Sequence, residues 1–276
     1  VVDDCADYSP INELLALSSN MVYVRQPNRG LGQARNTGIE LAEGSFIQFV
    51  DGDDLLLTSA YEQCLDIIRY RETDMVLFQS TDKKTSKPLA DAEGPISGTE
   101  YMTHNNLRGS VWTFLFRKEI LYGLRFPKGL FHEDEEFVPQ LMLRAENLYF
   151  TNNKAYFYRK REGSIMHKRD KRWHIRRLAD AEQVLYRLKE RVDYLPVKER
   201  IAMERRIAQL TMDHIYNVIT MTHDETHLNH VLQRLSRHGL FPLPDKDYTS
   251  KYKWFRRMTN SSFGRKTLIM LLRAKG

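Results

Sequence analysis

The most informative segment of the chain reads Ser45-Phe46-Ile47-Gln48-Phe49-Val50-Asp51-Gly52-Asp53-Asp54. It predicts a short apolar strand that ends in three carboxylates. Like charges this close repel each other, so such a cluster is stable where a cation or a proton lies among them. Mg²⁺ and Mn²⁺ take oxygen ligands and commonly bridge one or two carboxylates to substrate phosphates. The segment therefore indicates a metal–diphosphate site at a strand end, although Asp and Gly are also typical of a solvated acidic turn.

The segments around this strand alternate between strand and helix. Strands are predicted at 1–4, 21–25, 46–50, 74–79, 110–117 and 155–159, and helices at 11–17, 31–42, 59–70 and 131–144. This alternation predicts an α/β fold with a mixed, mostly parallel sheet and helices on both faces. Polar residues 80–98 indicate a surface loop or hairpin.

Charge divides the chain into two parts. Residues 168–276 hold 24 of the 42 Lys/Arg but 12 of the 36 Asp/Glu, a net charge of about +12 against about −6 for residues 1–167. From Asp170 onward the apolar residues recur with helical periodicity. We therefore predict an α/β domain over residues 1–167 and a basic, helical C-terminal region over 168–276. The basic charge indicates an anionic partner.

The cellular setting is indicated by the cysteines and by hydropathy. Cys5 and Cys64 lie on unrelated segments and form no disulfide framework, which favours a reducing cytoplasm. The sequence contains no run of about 18 apolar residues, so no membrane-spanning helix is predicted. The opening Val1-Val2-Asp3-Asp4 is typical of the end of a buried strand, and we expect a further segment before it.

A second motif occupies residues 28–38, which contain three glycines, two arginines and two asparagines at the start of a predicted helix. A helix N-terminus and small residues allow phosphate to approach closely, and Arg35 can make a forked, charge-assisted contact. The segment is not a P-loop, because no Gly-Lys-Ser/Thr follows, and its glycine spacing is not that of a dinucleotide fingerprint.

Two acidic groups are further candidates. Asp3 and Asp4 close the first strand and could accept hydrogen bonds from a nucleobase or a ribose, or could serve a turn or a helix cap. Phe131-His132-Glu133-Asp134-Glu135-Glu136-Phe137 places four acids beside a histidine. Acids at a helix start are favoured by the helix dipole, but four exceed what capping needs, so one of them is a candidate general base.

A basic motif, Tyr156-Phe157-Tyr158-Arg159-Lys160-Arg161-Glu162-Gly163-Ser164-Ile165-Met166-His167, follows the last predicted strand. Arg159, Arg161 and His167 could neutralise a departing diphosphate. His167 could also complete a metal site, although a lone histidine is more often a surface residue.

These five motifs, in this order and spacing across residues 1–167, resemble the family 2 glycosyltransferases, which have the GT-A fold. The resemblance implies an inverting enzyme of the hexosyltransferase type. It also implies a nucleotide-sugar donor, usually a UDP-sugar, and a Mg²⁺ or Mn²⁺ ion. The family has a further strand and loop before the position of Val1, and Gly-Ser where this chain has Cys5-Ala6.

The resemblance also assigns roles by position. Asp3 or Asp4 would contact the base, Arg35 the nucleotide or its diphosphate, and Asp51 the ribose or the metal. Asp53 would hold the metal against the diphosphate. Asp134 would be the general base, and Glu133 would help to position the acceptor.

The expected role is the synthesis of a bacterial capsule, lipopolysaccharide or other surface polysaccharide, with a saccharide or lipid-linked acceptor. Two rivals stay open: a non-catalytic nucleotide-sugar binder or assembly subunit, and a nucleotidyltransferase of similar architecture. The basic C-terminal segments, residues 251–258 and 265–273, suit an anionic membrane surface, so the protein is expected in the cytoplasm and peripherally on the inner face of the membrane. The same helices could instead pack on the catalytic domain. Nucleic acid is not expected as a partner, because no known module is present.

Overall fold

The computed structural model describes residues 1–17, 21–85, 87–89, 91–160 and 171–273. The chain forms two compact units, Val1–Gly98 with Gly109–Arg161 and Thr99–Arg108 with Glu162–Gly276. The predicted boundary between residues 167 and 168 falls outside the described residues, so its position stays a prediction.

The secondary structure follows the predicted alternation. The strands are β1 (Val2–Asp3), β2 (Val24–Arg25), β3 (Phe46–Gln48), β4 (Leu55–Leu56), β5 (Met75–Thr81), β6 (Glu93–Ile96), β7 (Phe114–Arg117) and β8 (Leu148–Phe157). The helices are α1 (Ile11–Leu17), α2 (Leu31–Leu41), α3 (Thr58–Tyr70), α4 (Gly98–His104), α5 (Glu133–Met142), α6 (Lys171–Val192), α7 (Val197–Thr222), α8 (Glu225–Arg237), α9 (Ser250–Thr259) and α10 (Ser262–Arg273).

The first unit is built on a six-stranded mixed sheet. Its strand order is β3-β7-β5-β8-β4, and β6 also pairs with β8. The pair β5–β8 is parallel, whereas the other pairs in this sheet are antiparallel. The pairings therefore make β3, β5 and β8 run in one direction, as the alternation predicts. Strands β1 and β2 form a separate parallel pair.

One core cluster of this unit lies between the sheet and α3. Ala60, Cys64 and Ile67 recur at helical spacing on the buried side of α3 and meet Phe78 of β5 and Tyr156 of β8. Burial of these apolar surfaces is the main term that stabilises the unit. It also holds the carboxyl end of β8 beside the acidic turn that follows β3.

The strand predicted over residues 110–117 is shorter than expected, because Val111–Thr113 form a 3-10 turn and β7 begins at Phe114. Two further differences concern β8 and β6. Strand β8 begins at Leu148, seven residues before the predicted start at Ala155, because its first half pairs with β5 and β6. Strand β6 occupies part of the segment predicted as a loop or hairpin. Both strands form because they pair with strands that are distant in sequence, and local composition does not predict such pairing.

The second unit is helical. Helices α6, α7 and α8 confirm the predicted helices and bury Leu188, Ile215 and Leu232 among other apolar side chains. Arg205 and the buried Arg206 of α7 donate to the carbonyl oxygens of Thr103 and Leu107 and so hold the segment Thr99–Arg108 in this unit. None of the described helices is long and apolar enough to cross a membrane.

Gly98 allows the start of α4 to lie directly against the end of α5. A Cβ at this position would overlap the carbonyl oxygen of Met142, which belongs to the backbone and cannot move cheaply. We expect Gly98→Ala to lower the free energy of unfolding by about 1–3 kcal/mol through overpacking. Urea denaturation followed by circular dichroism measures the change.

The matched control is Gly44→Ala, because a Cβ on Gly44 would make an ordinary contact at 3.5 Å with the carbonyl oxygen of Phe46. Equal losses in the two variants would contradict the packing argument.

Candidate active site

The centre of the site is the guanidinium of Arg35, which lies among three carboxylates. Nη1 donates to Oε1 of Glu133 at 2.9 Å and to Oδ1 of Asp134 at 2.5 Å, and Nη2 donates to Oδ1 of Asp51 at 3.1 Å. Only 6% of the Arg35 side chain is exposed, so these charge-assisted bonds lie away from bulk water. One cation therefore joins α2, the turn after β3 and the first turn of α5.

Aromatic rings and backbone contacts hold this arginine in place. The guanidinium carbon lies 5.5 Å from the ring centroid of Phe126 and 5.9 Å from that of Phe49. Asn36, the next residue on α2, donates to the carbonyl oxygen of Phe126 and accepts from its N–H. Phe126 stacks in turn on Phe137 of α5 at 3.8 Å between centroids. Arg35 and Asn36 thus fix the position of the guanidinium against an aromatic wall formed by Phe49 and Phe126.

Gly32 lets α2 approach this wall. A Cβ at Gly32 would lie 3.2 Å from the Cβ of Phe126 and 3.3 Å from Cγ of Glu133. The small residues of this motif were predicted to let phosphate approach closely. At Gly32 it is side-chain atoms of Phe126 and Glu133 that approach.

Asp134 is a partly buried carboxylate with a raised pKa. Burial raises the pKa of Asp134 to about 7, against the opposing effect of Arg35 and with a smaller contribution from Glu133. Its Oδ2 accepts from the N–H of Val111 at 3.3 Å, and 18% of its side chain is exposed. Burial likewise raises the pKa of Glu133, which Arg35 opposes. Asp134 is therefore fixed in position and open on one side, and it can exchange a proton near neutral pH.

The acidic turn after β3 is held by the end of β8. The hydroxyl of Tyr156 donates to Oδ2 of Asp54 at 2.8 Å and accepts from the N–H of Asp51 at 3.1 Å. The N–H of Arg159 donates to Oδ1 of Asp54 at 2.8 Å, and the Arg159 side chain is exposed. Burial raises the pKa of Asp54, an effect that these two hydrogen bonds oppose. Asp54 therefore braces the turn, while Asp51 and Asp53 remain part-exposed.

Asp3 and Asp4 lie in a separate polar cluster at the end of β1. Asp4 accepts from Nε2 of Gln26 and from the N–H groups of Arg29 and Gly30, so it holds the loop that enters α2. Asp3 accepts from the hydroxyl of Tyr23 at 2.6 Å and from the N–H of Ala6 at 2.7 Å, and the Tyr23 hydrogen bond is the main reason that its pKa is lowered. The turn role considered for this pair is thus present, and recognition of the nucleobase stays a prediction.

The predicted metal ligands are only partly described. Asp53 lies on the acidic turn, whereas Arg161 and His167 lie outside the described residues. Within the described ranges, no three His, Cys, Asp or Glu side chains come together as a metal site. Asp51 and Asp53 nevertheless offer hard oxygen donors on one turn, which fits an ion completed by substrate phosphates.

Comparison with known proteins finds a family similarity in the first part of the chain. Residues 1–119 match the family model described as glycosyl transferase family 2. This part of the chain is similar to glycosyltransferase family 2. EpsJ of Bacillus subtilis, an uncharacterized glycosyltransferase, is 30% identical over 156 residues, which are 51% of this chain and 45% of EpsJ.

Solved structures give the same fold. Residues 1–349 of Staphylococcus aureus TarS, crystallised with UDP-GlcNAc, superpose with a TM-score of 0.65 at 18% identity over 100% of this chain and 78% of that one. TarS is a poly(ribitol-phosphate) beta-N-acetylglucosaminyltransferase, 27% identical over 183 residues, 60% of this chain and 30% of TarS. The mannosyltransferase PcManGT of Pyrobaculum calidifontis, in complex with GDP-Man and Mn²⁺, gives a TM-score of 0.50 at 13% identity over 99% and 75% of the two chains. The predicted GT-A fold and its C-terminal helices are confirmed.

The chain spans about half the length of the curated relatives it matches. The roles of the individual residues are not set by these likenesses, and they stay predictions.

Three parts of the site were not anticipated from sequence. They are the brace between Asp54 and Tyr156, the N–H of Val111 against Asp134, and the wall of Phe49 and Phe126. Tyr156 was visible in the basic motif, and Asp54 was visible in the acidic one. The link between them joins residues 102 positions apart, so only the pairing of β4 with β8 brings them together.

Arg35 offsets the repulsion of three carboxylates, so its loss should be costly. We expect Arg35→Met to lower the free energy of unfolding by about 3–5 kcal/mol, the range for breaking a buried ion pair. The loss should be smaller below pH 7, where Asp134 is protonated and one repelling charge is gone. Urea unfolding on either side of this pH measures both effects.

Arg29→Met is the control, because Arg29 is an exposed arginine at the start of the same motif. A pH-independent loss of less than about 1 kcal/mol in Arg35→Met, as is usual for surface ion pairs, would contradict a central role for this cation.

Proposed function

We propose that the protein is an inverting glycosyltransferase of the hexosyltransferase type. It would move a sugar from a nucleotide-sugar, most simply a UDP-sugar, to a glycan or lipid-linked acceptor in the synthesis of a bacterial surface polysaccharide such as capsule. The observation that carries the proposal is Asp134, a carboxylate with a pKa of about 7 that Arg35 and the N–H of Val111 hold in place. Residues 1–119 of the same chain match the model of glycosyl transferase family 2.

Asp134 has the properties of a general base. A base is most effective when its pKa lies near the working pH, and burial brings Asp134 to that range. Arg35 and the N–H of Val111 hold the two carboxylate oxygens, and each oxygen keeps a further lone pair for an acceptor hydroxyl. Asp134 would take the proton as the hydroxyl attacks the anomeric carbon, and a single displacement inverts its configuration. Glu133 would help to position the acceptor.

The donor side would be formed by the other predicted residues. Asp3 or Asp4 would contact the nucleobase of the donor, and Asp51 would contact its ribose or the ion. Arg35 would act through Asp51 and Asp134, which it already joins, and it would also contact the nucleotide or its diphosphate. Arg159 and Arg161 would neutralise the departing diphosphate, because guanidinium groups bind phosphate oxygens in a forked geometry.

A Mg²⁺ or Mn²⁺ ion is part of the proposal. Asp53 would hold it, with His167 as a second candidate ligand. When bound, such an ion stabilises negative charge on the leaving nucleoside diphosphate. Support comes from the two part-exposed carboxylates of the turn and from the Mn²⁺ present in the PcManGT structure.

The cytoplasm is the proposed setting, with peripheral attachment to the inner face of the membrane. A reducing compartment suits the two free cysteines, Cys5 and Cys64. A lipid-linked acceptor would bring its sugar to the same surface.

The first test removes the proposed base. Asp134→Asn keeps the shape of the side chain but cannot accept the proton, so we expect the rate of UDP release from a UDP-sugar, with acceptor present, to fall by about 10²–10⁴-fold. Donor affinity should change little. In the unaltered protein the rate should rise with pH through about 7 as Asp134 loses its proton, and this dependence should be absent in the variant.

Glu135→Gln is the matched control, because it removes a neighbouring carboxylate on the same helical turn. Full turnover by Asp134→Asn would remove Asp134 from the base role. Donor binding without turnover in the unaltered protein, with every acceptor supplied, would favour the rival role of a nucleotide-sugar binder.

The second test concerns Asp53. We expect Asp53→Ala to weaken the binding of UDP in the presence of Mn²⁺ by at least about tenfold, because it removes a charged ligand of the ion. Binding without Mn²⁺ should be affected much less. Isothermal titration calorimetry with UDP, GDP and dTDP, each with and without Mn²⁺, measures the effect. It also identifies the nucleobase that the donor site prefers.

Asp66→Ala provides the control, since Asp66 is a surface carboxylate on α3 that pairs with Arg69. An equal loss for Asp53→Ala with and without Mn²⁺ would show that Asp53 acts on the nucleotide directly.

A further inference from the structure

The last two helices form a strongly basic segment. Residues 248–273 contain seven Lys/Arg and no Asp/Glu. Lys253 pairs with Asp247, and Arg256 pairs with Asp245, both in the preceding loop. Lys251, Arg257, Lys266 and Arg273 are exposed. The segment therefore presents net positive charge to its surroundings.

The same helices expose large apolar side chains. Phe263 is 80% exposed, Met270 73%, Leu271 51% and Trp254 50%. Phe263 and Met270 are seven positions apart on α10, with Lys266 between them, so the three lie on one stripe of the helix. Exposed apolar residues next to basic ones are typical of helices that lie in a membrane interface.

Helices α9 and α10 are held in place by buried side chains and hydrogen bonds, so their apolar residues are exposed in the folded unit. Tyr252, Phe255 and Leu268 are buried and pack the opposite sides of α9 and α10. The hydroxyl of Thr249 caps α9 by accepting from the N–H of Tyr252, and Asn260 bonds to both the N–H and the carbonyl of Leu243. The polar and apolar groups are thus presented on a fixed scaffold.

We propose that α9 and α10 dock on the surface of an anionic lipid bilayer. Lys251, Arg257, Lys266 and Arg273 would contact acidic head groups, and Trp254, Phe263, Met270 and Leu271 would enter the head-group boundary. An anionic polymer needs only the charges, so the four exposed apolar side chains favour lipid. The inference deepens the proposed function and in part rests on it, because an enzyme with a lipid-linked acceptor works at such a surface.

The experiment is sedimentation of the full chain with phosphatidylcholine vesicles that contain or lack phosphatidylglycerol. We expect binding to the anionic vesicles that weakens as salt is raised. Lys266→Glu with Arg273→Glu should weaken it at least about 25-fold, since each basic residue contributes about fivefold in affinity. Phe263→Ser with Met270→Ser should weaken it at least about tenfold through lost apolar contact.

Tyr194→Ser with Lys198→Glu is the matched control, because it removes one exposed aromatic and one exposed basic residue near the connection between α6 and α7. It should leave vesicle binding unchanged. The inactive variant Asp134→Asn should bind vesicles normally, so failure of the catalytic proposal and failure of this one are separable.

Absence of binding to anionic vesicles would overturn the inference. So would a loss of affinity in the charge variant with none in the apolar variant, which is the behaviour of a polyanion site. Equal binding to neutral and anionic vesicles would overturn the assignment of the basic residues to head groups.

Discussion

The guanidinium of Arg35 is the interaction on which the proposed active site depends. Three carboxylates from two separate segments, the turn after β3 and the first turn of α5, meet at one partly buried place, and without a cation their mutual repulsion would separate them. The arginine satisfies them with hydrogen bonds, and its flat surface lies against Phe126 and Phe49. One residue therefore joins the helix that follows β2 to the turn after β3 and to the proposed base. The position of the proposed base, Asp134, is thereby linked to the position of the acidic turn through Arg35.

The acidic residues of this domain fall into two groups, those that hold backbone segments in place and those that stay partly exposed. Asp4 and Asp54 are engaged by backbone N–H groups and fixed side chains, so they shape the loop into α2 and the turn after β3. Asp51, Asp53 and Asp134 keep part of their surface exposed and can meet a ligand. The acids that look alike in sequence therefore differ in what the fold leaves available to substrate.

The helical unit is stabilised by different interactions. Its interior is held by apolar packing and by a bidentate pair between Glu182 and Arg234, while its last two helices carry only positive charge. The acidic residues of the proposed site lie in the first unit, and the exposed basic residues of α9 and α10 lie in the second. This division agrees with the opposite net charges of the two parts of the sequence.

The sequence alone determined the α/β class, the GT-A resemblance and most of the helices, because apolar periodicity and short motifs report local structure and family membership directly. It also singled out Arg35, Asp51, Glu133 and Asp134. Only the tertiary structure brought those four together and made Asp54 a brace for Tyr156, since both depend on contacts between residues up to 105 positions apart. The pKa of Asp134 was likewise beyond the sequence, because burial and the neighbouring charges that shift it exist only in the folded chain.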